Sequence, residues 1–363
     1  MKNTFGCSIS ITLFGESHGE KIGCVIDGLA PGIKIDYENI EKRLSMRRPE
    51  GKISTKRREP DKFSVVSGAF NGYTTGTPLT ILIDNTDTRS TDYDKFLDTP
   101  RPSHADYTAM LKYHGYADHR GGGHFSGRLT APIVAAGALL ESALSDKGIT
   151  LGTHISNLHG ISDRPFGDIA SDIRLLNSKN FPALSADEEM LSEIESAATA
   201  GDSVGGVLES AVLGIPGGVG EPFFDSMESV ISHMLFSVPG VKGVEFGDGF
   251  KLADLFGSEA NDPFTVDDGV IKTKTNRNGG INGGITNGMP LIVRCAVKPT
   301  PSVFKEQTSI SISKSAETTI RISGRHDPAI IHRARVVVDM ALAIAISDML
   351  TVHFGTDYLS SNK

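Results

Sequence analysis

Residues 22–36 read "IGCVIDGLAPGIKID". Ile22, Cys24 and Ile26 alternate along one face of a strand, Gly28 and Pro31–Gly32 break it, and a helix opens near Asp36. The same succession of strand, glycine-proline turn and helix recurs at residues 207–225, "VLESAVLGIPGGVGEPFFD". The two stretches read as a duplicated βα unit within one architecture. No low-complexity linker divides the 363 residues. The expectation is therefore an α/β protein with one large domain of layered sheets and helices over residues 1–363, residues 352–363 forming a flexible tail.

Other alternating runs predict strands near 4–14, 63–70, 78–83, 150–158, 204–214, 290–297, 308–313 and 317–323. Helices are expected over 36–47, from a cap at Ser103, over 132–147 ending at Gly148, and from a capping box at Ser185 with Leu191, Ile194 and Ala198 inward. Two more run over 226–236 and 328–352. The last, "RVVVDMALAIAI", is apolar almost all round and reads as interior, its Arg333, Arg335, Asp339 and Asp348 arguing against a membrane span.

Composition is that of a soluble protein, 39% hydrophobic and 22% charged, with no apolar run of membrane length and no signal-peptide layout, so a cytoplasmic location is expected. Cys7, Cys24 and Cys295 fit no metal-ligand spacing and read as reduced core residues. The net charge of -8 speaks against nucleic acid as a partner. Residues 43–62 invert it: eight positives, among them Arg43, Arg47, Arg48 and Lys52, against Glu50, Glu59 and Asp61 leave +5. A small anion is the expected ligand of that loop.

Four segments carry candidate chemistry. "GESHG" sets Ser17 and His18 on a glycine hinge, where a histidine titrating near neutrality suits proton donation. "RPSHADYTAMLKYHGYADHRGGGHFSGR" gathers His104, His114, His119 and His124; the last three recur every five residues, which is no helical spacing, and no metal is expected. Its three glycines precede a helix and stand beside Arg120 and Arg128, a combination suited to phosphate. "KPTPS" (298–302) offers Lys298, Thr300 and Ser302 after a strand, and in "GRHDPA" Asp327 suits a helix N-cap. Dinucleotide, P-loop, zinc-protease and nucleophile-elbow signatures are absent.

Taken in order, "GESHG", "MRRPEGKISTKRREPD", "RPSHADY", "GGGHFSGRLTAPIVAAGA", "VKGVEFGDGF", "NGGINGGITNGMP", "KPTPS" and "GRHDPAIIHRA" closely resemble the chorismate synthase family, from about residue 4 to about residue 350. The resemblance implies an anti-1,4-elimination of phosphate from 5-enolpyruvylshikimate 3-phosphate, giving chorismate, with reduced FMN and no net redox change. It also implies a β-α-β sandwich and a homotetramer.

By the same resemblance His18 would protonate the departing phosphate and His104 would lie by the flavin. Asp327, Ser17 and Ser126 would relay a proton, and Arg48, Arg128 and Arg325 would hold the substrate's anionic groups. FMN would meet His124, Phe125, Ser126, Pro239, Gly240, Gly283, Lys298, Pro299, Thr300, Pro301, Ser302 and Arg325; Arg47 and Lys52 match positions linked with NADPH. Many members carry arginine and serine where this chain has His124 and Phe125, and arginine where it has Lys52. Two rivals are a flavin oxidoreductase using the same phosphate loops and a nucleic-acid binder using residues 43–62. That loop lacks stacking aromatics, which weighs against the second.

Overall fold

Eight strands form the cores of two antiparallel sheets with a helical layer between them. The computed structural model describes residues 2–48, 53–54, 60–86, 94–322 and 327–361. In the first sheet the strands are β1 (Ser10–Gly15), β2 (Lys21–Asp27), β3 (Phe63–Ser67) and β4 (Leu79–Asp84), with Thr4–Phe5 at the edge. In the second they are β5 (Thr150–Leu158), β6 (Gly206–Leu213), β7 (Val241–Phe246) and β8 (Leu291–Val297), edged by Ile161–Ser162. The helices are α1 (Tyr37–Arg47), α2 (Asp106–Tyr113), α3 (Thr130–Asp146), α4 (Ile169–Leu176), α5 (Asp187–Thr199), α6 (Met227–Phe236) and α7 (Ile331–Phe354).

The repeat foreseen at 22–36 and 207–225 extends over a longer stretch of chain. Residues 10–146 run β1-β2-α1-β3-β4-α2-α3 and residues 150–354 run β5-α4-α5-β6-α6-β7-β8-α7, so in each half a helix (α1, α6) follows the second strand and a long helix (α3, α7) follows the fourth. Both sheets adopt the same order, β1-β2-β4-β3 and β5-β6-β8-β7. The inner faces follow from period-two alternation: Ile22, Cys24, Ile26, Leu79, Ile81 and Ile83 on one sheet, Leu208, Leu291, Val293 and Cys295 on the other, all buried. Between them α3 and α7 pack against each other. A Cβ on Gly137 of α3 would lie 2.4 Å from Met340 Cβ of α7, so glycine permits this helix spacing.

Two helices, 127–146 and 331–354, are long and apolar enough to cross a membrane, and 78% and 89% of those windows are buried inside the sandwich. The charges of α7 are all engaged within the protein. Arg335 donates to the carbonyls of Leu176 and Lys179, which cap the end of α4. Asp348 accepts the backbone N–H groups of Cys7, Ser8 and Ile9.

That last contact corrects two expectations. The predicted strand 4–14 is interrupted at residues 6–9, where the backbone turns to bind Asp348 instead of a neighbouring strand. Cys7, in that turn, is exposed, while Cys24 and Cys295 are buried, their thiols pushed up to about 12 by burial. Neither predicted serine cap forms. Ser103 takes a left-handed φ of 59°, and Asp106 binds the backbone and guanidinium of Arg101. Ser185 donates to Asp163, which also accepts the N–H groups of Ser185 and Ala186, so α5 turns Met190, Ile194 and Ala197 inward.

The end of the chain differs too from the expected flexible tail. Residues 352–354 continue α7, and a short 3-10 turn brings Leu359 into the core with only 2% exposure. Ser360 accepts Lys147 Nζ on its carbonyl and donates its hydroxyl to the Pro31 carbonyl.

Candidate active site

Strand β1 ends at Gly15, and residues 16–20 form a tight turn closed by the Gly19 N–H on the Glu16 carbonyl at 3.0 Å. In a strand Ser17 and His18 would face opposite ways; in this turn both are buried, 5% and 9% exposed, against the loop 119–126. Gly121, Gly122 and Gly123 of that loop all take positive φ. The Ser17 N–H donates to the Gly123 carbonyl at 3.1 Å. A Cβ at Gly121 would stand 2.5 Å from His18 Nε2 and 2.9 Å from Ser17 Oγ. Glycine is needed here for close approach of main chain to the imidazole. His124 Nδ1 lies 2.8 Å from the Gly15 carbonyl; a carbonyl only accepts, so that nitrogen carries the proton.

A second group surrounds His104, whose Nε2 lies 2.8 Å from Ser302 Oγ. The 298–302 segment reaches this loop because Lys298, one residue past β8, donates its Nζ to the Ser103 carbonyl at 2.7 Å and its N–H to Gly240. Burial, then the Lys242 charge, hold the Lys298 ammonium below its ordinary value. The Thr300 hydroxyl oxygen is buried with no hydrogen-bond partner among the described residues. A cavity of about 670 Å³ lies alongside, lined by His104, Tyr113, Gly121, His124, Phe125 and Ser126 among others. Phe125 and Tyr113 meet there edge to face, 6.0 Å between centroids.

The third group is ionic. Asp61, 1% exposed, receives Arg47 at 2.9 Å through one carboxylate oxygen and Arg128 through the other. Arg128 also donates Nε to Asn85 Oδ1 at 2.9 Å and a terminal nitrogen to the Asp84 carbonyl at 3.0 Å. Its N–H reaches Ser126 Oγ at 3.3 Å. Asp327 pairs with Arg333 at 2.7 Å, and Arg333 Nε donates to the Arg47 carbonyl at 2.8 Å. Arg48 lies beside this network with its buried Nε unpartnered among the described residues, a donor available to an anion.

These contacts rearrange the expected roles. Arg43 and Arg47 turn inward, Arg43 to Glu141 and Arg47 to Asp61, so part of the basic loop's charge is neutralised in the fold. Arg47, expected on NADPH, has its side chain 4% exposed and committed to a carboxylate. Asp327 does not open α7 as an N-cap, which falls at Ile330; its carboxylate pairs with Arg333. Gly283 sits at the exposed tip of the hairpin 281–286, whose Ile281 and Thr286 are buried and whose Gly284 accepts the Met227 N–H; no described contact ties it to His18 or His104. Lys52 and Arg325 lie outside the described residues. Among the described residues no group of three or more His, Cys, Asp and Glu could hold a metal ion.

Sequence reading missed Asp61, Asn85, Arg333 and His332. Asp61 counted only as a negative charge in a basic run, whereas burial makes it the counter-ion of two guanidinium groups. His332 packs on Phe181, lies 2.9 Å from Ser54 Oγ, and is pushed down to about 4 by burial, opposed by Asp327 and assisted by Arg333. Between its ordinary value near 6.5 and about 4 the unfolded chain binds the proton more tightly. Stability therefore rises with pH across that window and is lost on acidification. In urea melts from pH 7 to pH 4, wild type should lose roughly 3 kcal/mol more than His332→Gln, as an upper figure. His154 runs the other way. Burial opposes its charge, but hydrogen bonds to Asp163 and Glu209 prevail and raise it, so its contribution is full below about 6.5 and fades as pH rises through its folded value.

The fold and site together set a buried Ser17–His18 turn beside an arginine–carboxylate cluster and a cavity of about 670 Å³. The family model for chorismate synthase matches residues 9–351. The chain is 45% identical over 347 residues to "Chorismate synthase" of Pyrococcus abyssi (strain GE5 / Orsay), covering 95% of this chain and 96% of that protein. It is 42% identical over 346 residues to the one from Korarchaeum cryptofilum (strain OPF8), with the same coverages. A solved structure titled "Crystal Structure of Chorismate Synthase" superposes with a TM-score of 0.75 at 26% identity, over 96% of this chain and 94% of that one. The chain belongs to the chorismate synthase family, whose members are carbon–oxygen lyases of aromatic biosynthesis.

Proposed function

We propose that the protein eliminates phosphate from 5-enolpyruvylshikimate 3-phosphate to give chorismate, using reduced FMN. The observation that carries the reading is the Ser17–His18 hinge, buried against Gly121–Gly123 and bridged through Asn85 to the Arg47–Asp61–Arg128 cluster. The net change breaks a ring C–H bond and the C–O bond to phosphate and forms one C=C bond. No oxidant or reductant is consumed.

FMN fits the residues present: the buried, unpartnered Thr300 hydroxyl and the desolvated Lys298 offer donors to a phosphate, and Phe125 offers an aromatic edge to a ring system. Ser126, Pro239, Gly240, Gly283, Lys298–Ser302 and Arg325 would hold it. His124 would contribute through Nε2, since its Nδ1 is taken by Gly15. When bound, the reduced flavin would supply an electron-rich ring beside the C–O bond to be broken. His18 delivers a proton to the leaving phosphate oxygen, and Arg48 and Arg128 offset the charge that grows there. His104, set by Ser302, holds a proton beside the cofactor. Asp327, with Ser17 and Ser126, completes the proton path, after release from Arg333. NADPH as a flavin reductant would rest on Lys52 more than on Arg47.

A homotetramer in the cytoplasm completes the reading. Phe223 and Phe224, both exposed with ring centroids 6.4 Å apart, and exposed Phe250 and Phe256 on the second repeat support assembly, because they are large apolar surfaces that a subunit interface would cover. The deciding experiment is anaerobic turnover with flavin reduced once. Chorismate and phosphate should form in equal amounts without further reductant; reductant consumed in step with product would establish the oxidoreductase instead.

A further inference from the structure

We propose that Asn85 is a positioning residue of this active site, locking the Ser17–His18 turn and the Arg128 guanidinium into one frame. Its Nδ2 donates to the Glu16 carbonyl at 3.1 Å and to the Gly19 carbonyl at 2.8 Å, the two residues that bracket Ser17 and His18. Its Oδ1 accepts Arg128 Nε at 2.9 Å. Its backbone N–H donates to Glu20 at 3.1 Å.

The amide has one orientation that satisfies all three side-chain contacts. Carbonyls only accept and a guanidinium only donates, so turning the amide over would set oxygen against two oxygens and NH₂ against a cation. The frame is anchored to the first sheet, because Asn85 directly follows β4 and the last residue of that strand, Asp84, takes a second donor of Arg128 on its carbonyl. On the far side of the turn, His124 and Gly123 hold Gly15 and Ser17. The Asn85 side chain thus touches both the turn and Arg128. Both its amide hydrogens and its amide oxygen are taken up by the turn and Arg128, so it acts through them and not on substrate.

The inference rests on the roles assigned above to His18 and Arg128. Asn85→Asp separates the two contacts: the carboxylate still accepts Arg128 but faces the Glu16 and Gly19 carbonyls with no donor. Per flavin-titrated site, kcat should fall about 10- to 100-fold, with KM for the phosphorylated substrate changed less than about 3-fold. Asn85→Ala loses both contacts, so KM should also rise, by about 10-fold. A merely structural Asn85 would lower the urea midpoint while kcat and KM per folded site stayed at wild-type values; that result overturns the proposal. Should the aspartate variant not fold, the alanine variant, which brings no charge against the carbonyls, decides on the same criterion. His18→Ala, measured alongside, tells the two failures apart. If it turns over normally, the reading of the hinge falls; if it is slow while Asn85 variants match wild type, only this inference falls.

Discussion

His18→Ala is expected to lower chorismate formation by about 10²-fold or more while flavin still binds. The loss corresponds to about 2.7 kcal/mol of transition-state stabilisation, the scale of a positioned general acid. The imidazole is 9% exposed and lies against the Gly121 main chain, so water does not readily take over its proton transfer. Truncation leaves the flanking backbone contacts intact, since Ser17 N–H to Gly123 and Asn85 to Glu16 and Gly19 involve no atom of the ring. Binding of FMN, followed by its absorbance change, should therefore survive. His104→Ala should cost a similar factor, as its Ser302 contact places it beside the 298–302 segment that we propose holds the cofactor. Wild-type rates in His18→Ala, measured as phosphate released per flavin, would remove the assigned role.

Asp61→Asn should destabilise the fold by about 3–5 kcal/mol, the cost of leaving buried charge uncompensated. The carboxylate is fully buried between Arg47 and Arg128, themselves 4% and 6% exposed. Asparagine preserves the shape and tolerates the left-handed φ of 48° at this position, so the loss isolates the charge. A urea melt at pH 7 reads it. Adding Arg47→Met should recover part of the stability, because the two changes act on one ion cluster and do not add. An Asp61→Asn melt within about 0.5 kcal/mol of wild type would show that the cluster is not held by that charge.

How much was legible beforehand differs by kind of element. Strands with strict alternation, such as Leu79, Ile81 and Ile83, and helices with a clear apolar stripe appear where expected, because burial of one face is written into local spacing. Ser103 and Ser185 failed as caps for a reason outside the local window: Arg101 fixes Asp106, and Asp163, 22 residues before Ser185, takes over the N–H groups of α5. Cys7 looked like a core residue by type, yet α7 supplies Asp348 from 341 residues away and pulls its backbone out of the strand.

The sequence by itself determined the period of each strand and helix, the repeated strand–turn–helix unit, the family, and the residues His18, His104, Ser126 and Asp327 as candidates. These follow from local chemistry and from motifs in fixed order. Only the tertiary structure decided that both repeats share one sheet order, that Asp61 neutralises Arg47 and Arg128, that Asp327 sits on Arg333, and that Asn85 joins the hinge to the cationic cluster. The physical reason is common to all four. A charge or an amide states what partner it needs, but which partner it meets is settled when burial removes water and brings residues from distant segments of the chain into contact.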